Sequence, residues 1–230
     1  MYRYVEDKRF VSKMRQFCGS IMQELCHTLK RDWNIGTVFF LVGSGARNLI
    51  LQNENCPIDL DYNLEFVRLD PSLSEREVKE AVRCAFNKVL RRRGLPDCQD
   101  STAALTTATM SLYRGNPALF SMDVCIVRRE PDGTLSRLIH QKNGSVQLDR
   151  YIWNTACNSD GLREKVQLIR QSGKWGEVRQ AYLSLKNQYL RRNDLYHPSF
   201  ICYIEAVNQV YCTMTNKTEY VTWAGSLTRK

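Results

Sequence analysis

The chain has 230 residues, 43% hydrophobic and 25% charged, which is the range of a globular protein with a real core and excludes a disulfide-stapled miniature or a disordered chain. Lys and Arg number 33 against 24 Asp and Glu, a formal charge of +9 that suits polyanionic partners such as nucleotides or RNA without selecting one, and that many merely soluble proteins share. Residues 151–230 are the more basic per residue, with 11 basic and 6 acidic side chains against 22 and 18 in residues 1–150.

The nine Cys form no CxxC pair and the three His (27, 140, 197) are scattered, so neither zinc nor a disulfide framework is expected. No signal peptide follows Met1 and no apolar run reaches the length of a membrane span, which predicts a reduced, cytoplasmic protein without a membrane partner.

In chain order, Val11, Met14, Cys18, Ile21, Met22, Leu25 and Leu29 recur at spacings of three and four and predict a helix over residues 4–31. Thr37–Val42 is a continuous apolar and aromatic run, as expected of a strand covered on both faces, and it stops at Gly43-Ser44-Gly45. A short helix from Ala46 to Gln52, a break at Asn53–Pro57 and a strand from Ile58 to Phe66 follow. Ser74 with Glu77 forms a capping box ahead of the stripe Val78, Val82, Ala85, Phe86, Val89 and Leu90, so a helix is predicted as far as Gly94.

Leu105–Tyr113 and Ala118–Arg128 predict an antiparallel hairpin, and Asn143-Gly144 predicts a tight turn between strands Leu135–Gln141 and Ser145–Leu148. Beyond Asn158 only helical spacing remains, in three segments: around Leu162–Ile169, Val178–Tyr189, and Phe200–Tyr211 after Pro198. The expected architecture is an α/β (α+β) core over residues 1–150, with a mixed, largely antiparallel sheet, followed by a helical C-terminal subdomain over 151–230.

The chemistry gathers in Val42-Gly43-Ser44-Gly45-Ala46-Arg47 and Ile58-Asp59-Leu60-Asp61-Tyr62. On a strand, the two-residue period places Asp59 and Asp61 on one face, roughly 6.5–7 Å apart at Cα. Carboxylates that close repel unless a cation lies between them, and such oxygen donors suit Mg²⁺ or Mn²⁺. A pair of solvated strand aspartates is the plain alternative. At the strand-to-helix turn, Gly43 and Ser44 can offer backbone N–H groups and a hydroxyl to a phosphate, and Arg47 a fixed charge. No Walker A lysine follows. A third acid, Asp123, sits unfavourably among Met122, Val124 and Ile126, and three carboxylates are what a two-metal phosphoryl-transfer site needs.

Gly-Ser, a spacer, Asp-x-Asp and a later strand Asp resemble the DNA polymerase β-like nucleotidyltransferase superfamily, over about residues 35–128. Gly43-Ser44-Gly45-Ala46-Arg47 is similar to the Gly-Ser-x-Ala-Arg form of its minimal and antibiotic-modifying members. The resemblance implies an enzyme that moves a nucleoside monophosphate from an NTP to a hydroxyl acceptor (small molecule, protein or RNA) and releases pyrophosphate. It implies that Gly43 and Ser44 hold the triphosphate, that Asp59, Asp61 and Asp123 bind two Mg²⁺ (or Mn²⁺), and that Asp123 helps to activate the acceptor. The 14 residues between Ser44 and Asp59 are slightly more than the family's usual spacer. The lack of a full-length C-terminal half like that of the cGAS-like enzymes counts against a cyclic-dinucleotide synthase.

Arg192 and His197 resemble the Arg-x4-His element of HEPN ribonucleases, and this ribonuclease is the alternative reading; a catalytically silent nucleic-acid- or protein-binding module is another. Helix ends explain the same residues equally well, as they do Arg91-Arg92-Arg93. Trp153 or Trp175 is a candidate for stacking on a nucleotide base.

Overall fold

The computed structural model describes residues 1–113, 118–155, 161–194 and 198–216. The chain divides into two compact units, Arg3–Cys157 and a second built from Asn158–Lys230 together with Met1–Tyr2.

In the first unit, β1 (Tyr2–Tyr4) is followed by the long helix α1 (Lys8–Trp33). The helix starts later than the apolar spacing predicts because the Asp7 side chain caps it, accepting from the Phe10 N–H at 2.9 Å, and it ends at Asn34 in the left-handed region. Then come β2 (Gly36–Leu41), the short helix α2 (Gly43–Arg47), β3 (Leu51–Asn53), β4 (Ile58–Arg68) and α3 (Glu75–Arg92), which opens with the expected capping box of Ser74 and Glu77. β5 (Gln99–Asp100), β6 (Leu105–Thr106), β7 (Phe120–Arg129), β8 (Leu135–Gln141) and β9 (Arg150–Thr155) complete it.

β1 and β3 form a separate two-stranded ribbon; the main sheet has seven strands in the order β2-β4-β7-β6-β5, with β8 also paired to β7 and β9 to β8. Among the described residues, every pairing in the main sheet is antiparallel except that of β4 with β7. The two faces follow from residue parity. Leu60, Tyr62 and Leu64 of β4 and Met122, Val124 and Ile126 of β7 lie in one core with Met14, Ile21 and Leu25 of α1 and Val82, Phe86 and Val89 of α3. Each such side chain contributes about 1.5–3 kcal/mol through burial. Asp59, Asp61 and Asp123, one residue out of phase, occupy the opposite face.

Three strand expectations change. β2 is an edge strand rather than one covered on both faces, since among the described residues only β4 pairs with it, and Val38 and Phe40 are 39% and 50% exposed. In the first hairpin the ladder is reduced to Leu105–Thr106 and an isolated Met110–Phe120 bridge, with Arg114–Pro117 outside the described residues. The partner of β8 is Arg150–Thr155, not Ser145–Leu148. Asn143 does not make a two-residue turn there. Its N–H bonds Asp149 Oδ1 at 2.8 Å and its amide donates to Leu148 O at 2.9 Å, which closes a longer loop.

Lys79 of α3, 1% exposed, is paired with Asp100 at 2.7 Å, and His140 lies between Asp100 (2.8 Å) and Asp149 (2.9 Å). A buried ammonium is tolerable only with such partners. Arg93 reaches Ser20 at 2.8 Å and pairs with Glu24, while Arg91 bonds Asp97 at 2.7 Å, so this end of the arginine run ties α3 to its surroundings.

The second unit holds α4 (Leu162–Gln171), α5 (Trp175–Arg191) and α6 (Ser199–Thr215), with α6 in contact with the other two. Tyr189 donates to the Glu205 carboxylate at 3.2 Å and Lys165 to Asn208 at 2.8 Å. Among the described residues no helix is long and apolar enough to cross a membrane.

Candidate active site

β4 and β7 run parallel and in register, with Asp59 beside Ser121 and Asp61 beside Asp123. β6 adds Thr106 on the other side of Asp123. Parity then sets Asp59, Asp61, Ser121, Asp123 and Thr106 on one face, the one not packed on α1 and α3. The three acids named from the sequence are therefore brought together by a single register.

α2 closes the near side. The Val42 N–H bonds the Asp61 carbonyl at 2.8 Å, which fixes the turn to β4. Gly43 has φ +61°, and a Cβ there would fall 2.1 Å from Asp61 Oδ2, so the position requires glycine for conformation and for space. Gly45 is hemmed by Leu60 and Leu41, and its carbonyl accepts from Arg15 at 2.6 Å. Ser44 lies partly buried on this turn, and the Leu49 N–H bonds its carbonyl at 3.0 Å. Arg47 donates to the Gly43 carbonyl at 2.8 Å, and its charge also acts on Asp61.

Burial pushes Asp61 up to about 6; the neighbouring Asp123 and Asp59 add to this, and Arg137 and Arg47 oppose it. Asp123 is raised as well, by burial first, although the Thr106 hydroxyl donates to its Oδ1 at 2.5 Å and works the other way. The Ser121 hydroxyl donates to Asp59 Oδ1. Ser121, Thr106 and Arg137 were not singled out in the sequence. Ser121 alone carried a signal, being two residues before Asp123 on the same strand face; the other two depend on strand pairings far apart in the chain.

Three adjacent acids with hard oxygen donors, two of them with the charged form disfavoured by burial and by neighbouring acids, fit Mg²⁺ or Mn²⁺ in charge and donor type. Among the described residues no three His, Cys, Asp or Glu side chains already stand at ligand spacing. The hydroxyls of Ser121 and Thr106 hold one oxygen each of Asp59 and Asp123, so the carboxylates would have to draw together around a cation.

Of the ribonuclease pair, Arg192 is the C-cap of α5 and His197 lies outside the described residues. Trp153 has Arg128 over its ring at 4.5 Å and Phe66 edge-on at 6.3 Å; Trp175 lies under Arg170 at 3.9 Å. Both indoles are engaged by arginine.

No family model matches the chain, and no curated protein matches its sequence. The likeness is to solved structures. CdnC of E. coli MS115-1 with ATP aligns with a TM-score of 0.57 at 14% identity, over 87% of this chain and 59% of its own. The chain shares the fold of this structure. Escherichia coli DncV in a 3′-deoxy-GTP-bound form shares this fold with a TM-score of 0.57 at 12% identity, covering 88% of this chain and 67% of that one. The GTP-bound Vibrio cholerae DncV gives 0.51 at 15% identity, over 86% and 54%. The chain spans about 59% of the length of the CdnC structure it matches.

Proposed function

We propose that the chain is a metal-dependent nucleotidyltransferase that moves a nucleoside monophosphate from an NTP to a hydroxyl acceptor and releases pyrophosphate. The observation that carries this reading is the parallel register of β4 and β7, which sets Asp61 directly beside Asp123 with Asp59 one row away and Gly43 against the Asp61 carboxylate. Nothing in a structural role asks for three adjacent acids on neighbouring strands, because their mutual repulsion opposes folding. The ATP- and GTP-bound relatives of the same fold support it.

In this reading Gly43 and Ser44 receive the triphosphate, Gly43 by letting phosphate approach the backbone and Ser44 by one hydroxyl bond. Arg47 tightens the turn through the Gly43 carbonyl and adds positive charge near Asp61. Asp59, Asp61 and Asp123 would hold Mg²⁺ or Mn²⁺, two ions by the resemblance, which when bound supply charge neutralisation and Lewis acidity at the phosphoryl group. Thr106 occupies Asp123 Oδ1 and so leaves Oδ2 to accept the proton of the incoming hydroxyl. Ser121 orients Asp59 in the same manner. The helices α4, α5 and α6 of the second unit serve as a companion subdomain.

The test is incubation of the protein with each of the four α-labelled NTPs, Mg²⁺ and a cell extract. Transfer of label to one class of molecule, abolished by chelation, is expected. No transfer from any NTP with Mg²⁺ or Mn²⁺ would overturn the reading.

A further inference from the structure

Arg137 of β8 stands in register with Val127 of β7, and Val127 lies two strand steps of two residues beyond Asp123, on the same face. Its charge reaches Asp61 and the Cys125 thiol, yet among the described residues it forms neither an ion pair nor a hydrogen bond with Asp61, and its Nε is shielded from solvent without a partner. The other arginines of this face are committed. Arg129 makes a two-pronged pair with Glu65 at 2.9 and 3.0 Å, and Arg47 donates to the Gly43 carbonyl.

A guanidinium carries five donors in a planar fork suited to phosphate oxygens, and shielding one from water without protein acceptors is unfavourable unless an anion completes it. The position indicates which anion. α2 and Gly43 lie on the β4 side of the acids, through the Val42–Asp61 bond, whereas β8 pairs with the other edge of β7. The phosphate-binding turn and Arg137 thus bracket the carboxylates from opposite sides. A triphosphate whose outer phosphates rest at Gly43 and Ser44 directs its α-phosphate toward the acids, where the charge of Arg137 is felt at Asp61.

We propose that Arg137 is a phosphate-binding residue, bonding a non-bridging oxygen of the phosphoryl group that is transferred. The inference rests on the nucleotidyltransferase reading above. In the step it serves, the acceptor hydroxyl gives its proton to Asp123, the oxygen bonds the α-phosphorus, and the bond to pyrophosphate breaks. Arg137 makes no covalent bond; it meets charge that grows on the equatorial oxygens, so its contribution is larger in the transition state than in the bound NTP.

The experiment compares wild type, Arg137→Gln and Arg137→Lys in kcat with the NTP that the wild type uses, and in the Kd of that nucleotide's α,β-methylene analogue with Mg²⁺. Arg137→Gln is expected to lower kcat about 100-fold while the analogue's Kd moves less than about fivefold, and Arg137→Lys to recover at least about tenfold of the loss. Arg137→Met replaces the Gln variant if that does not fold. An active wild type with Arg137→Gln at full kcat overturns the role of Arg137 alone. So does loss of analogue binding in parallel with kcat and no recovery by Lys, the mark of a structural residue. A wild type that turns over no NTP overturns the reading underneath.

Discussion

Gly43 and Asp61 are in contact across the α2–β4 turn: the Asp61 carboxylate fills the space that a side chain at position 43 would need, with Oδ2 2.1 Å from where a Cβ would stand. Gly43 and Asp61 are thus one structural unit. Gly43→Ala must both occupy the left-handed region and displace the carboxylate. We expect it to lose about 1–2 kcal/mol of stability from the backbone alone and nucleotide transfer by more than about 100-fold, read by thermal unfolding and label transfer. Wild-type activity in Gly43→Ala would show that the contact is not needed.

Asp61 gives a pH dependence with a defined sign. Its folded value, about 6, lies above its ordinary value of 3.8, so the folded state holds the proton more tightly than the unfolded one. Below the ordinary value the group is neutral in both states and costs nothing; as pH rises through that value toward 6 the metal-free protein loses stability. Asp61→Asn should therefore be more stable than wild type at pH 7.5 without metal, on the order of 1 kcal/mol or roughly 2–4 °C in Tm, with the difference gone near pH 4. Calorimetry at the two pH values checks this. With Asp61 in its proposed metal-holding role, Mg²⁺ affinity is expected to weaken below about pH 6, which titration of the metal at a series of pH values reads.

The two hydroxyls have separable tasks. Thr106→Val removes the hydroxyl that donates to Asp123 Oδ1 while keeping the side chain's shape, and a hydrogen bond to a charged group is worth about 1.5–3 kcal/mol. A fall in kcat of roughly tenfold or more is expected, with a smaller change in KM for NTP. Ser121→Ala should weaken Mg²⁺ binding through Asp59 by a comparable factor, measured by metal titration.

For Ser44, loss of one neutral hydrogen bond predicts an NTP KM raised by about 0.5–1.5 kcal/mol in Ser44→Ala, or roughly 2- to 12-fold. The acceptor KM should not move. The opposite pattern in steady-state kinetics would place Ser44 on the acceptor.

Much of this was legible in the chain because the relevant signals are local. The two-residue period put Asp59 and Asp61 on one face, the capping box placed the start of α3, and Gly43-Ser44 marked the turn. What was not legible depends on which strands meet. Phe39 and Phe40 read as a run buried on both faces, but β2 became an edge and left Phe40 half exposed. Asn143-Gly144 has the composition of a tight hairpin, yet the Asp149 carboxylate bonds the Asn143 N–H, and the returning strand starts only at Arg150. Thr106 and Arg137 reach the acids only because β6 and β8 both pair with the far edge of β7.

The central claim, that Asp59, Asp61 and Asp123 carry out nucleotide transfer, is tested most directly at Asp123. Asp123→Asn keeps the volume and the contact to Thr106 but removes the charge and the proton acceptor. Turnover of the labelled NTP and binding of its Mg²⁺ complex are measured separately. The account predicts kcat and kcat/KM lower together by about 100-fold or more, with NTP·Mg²⁺ binding reduced far less. Wild-type turnover in Asp123→Asn, with stability changed by less than about 0.5 kcal/mol as for an ordinary surface residue, would contradict it.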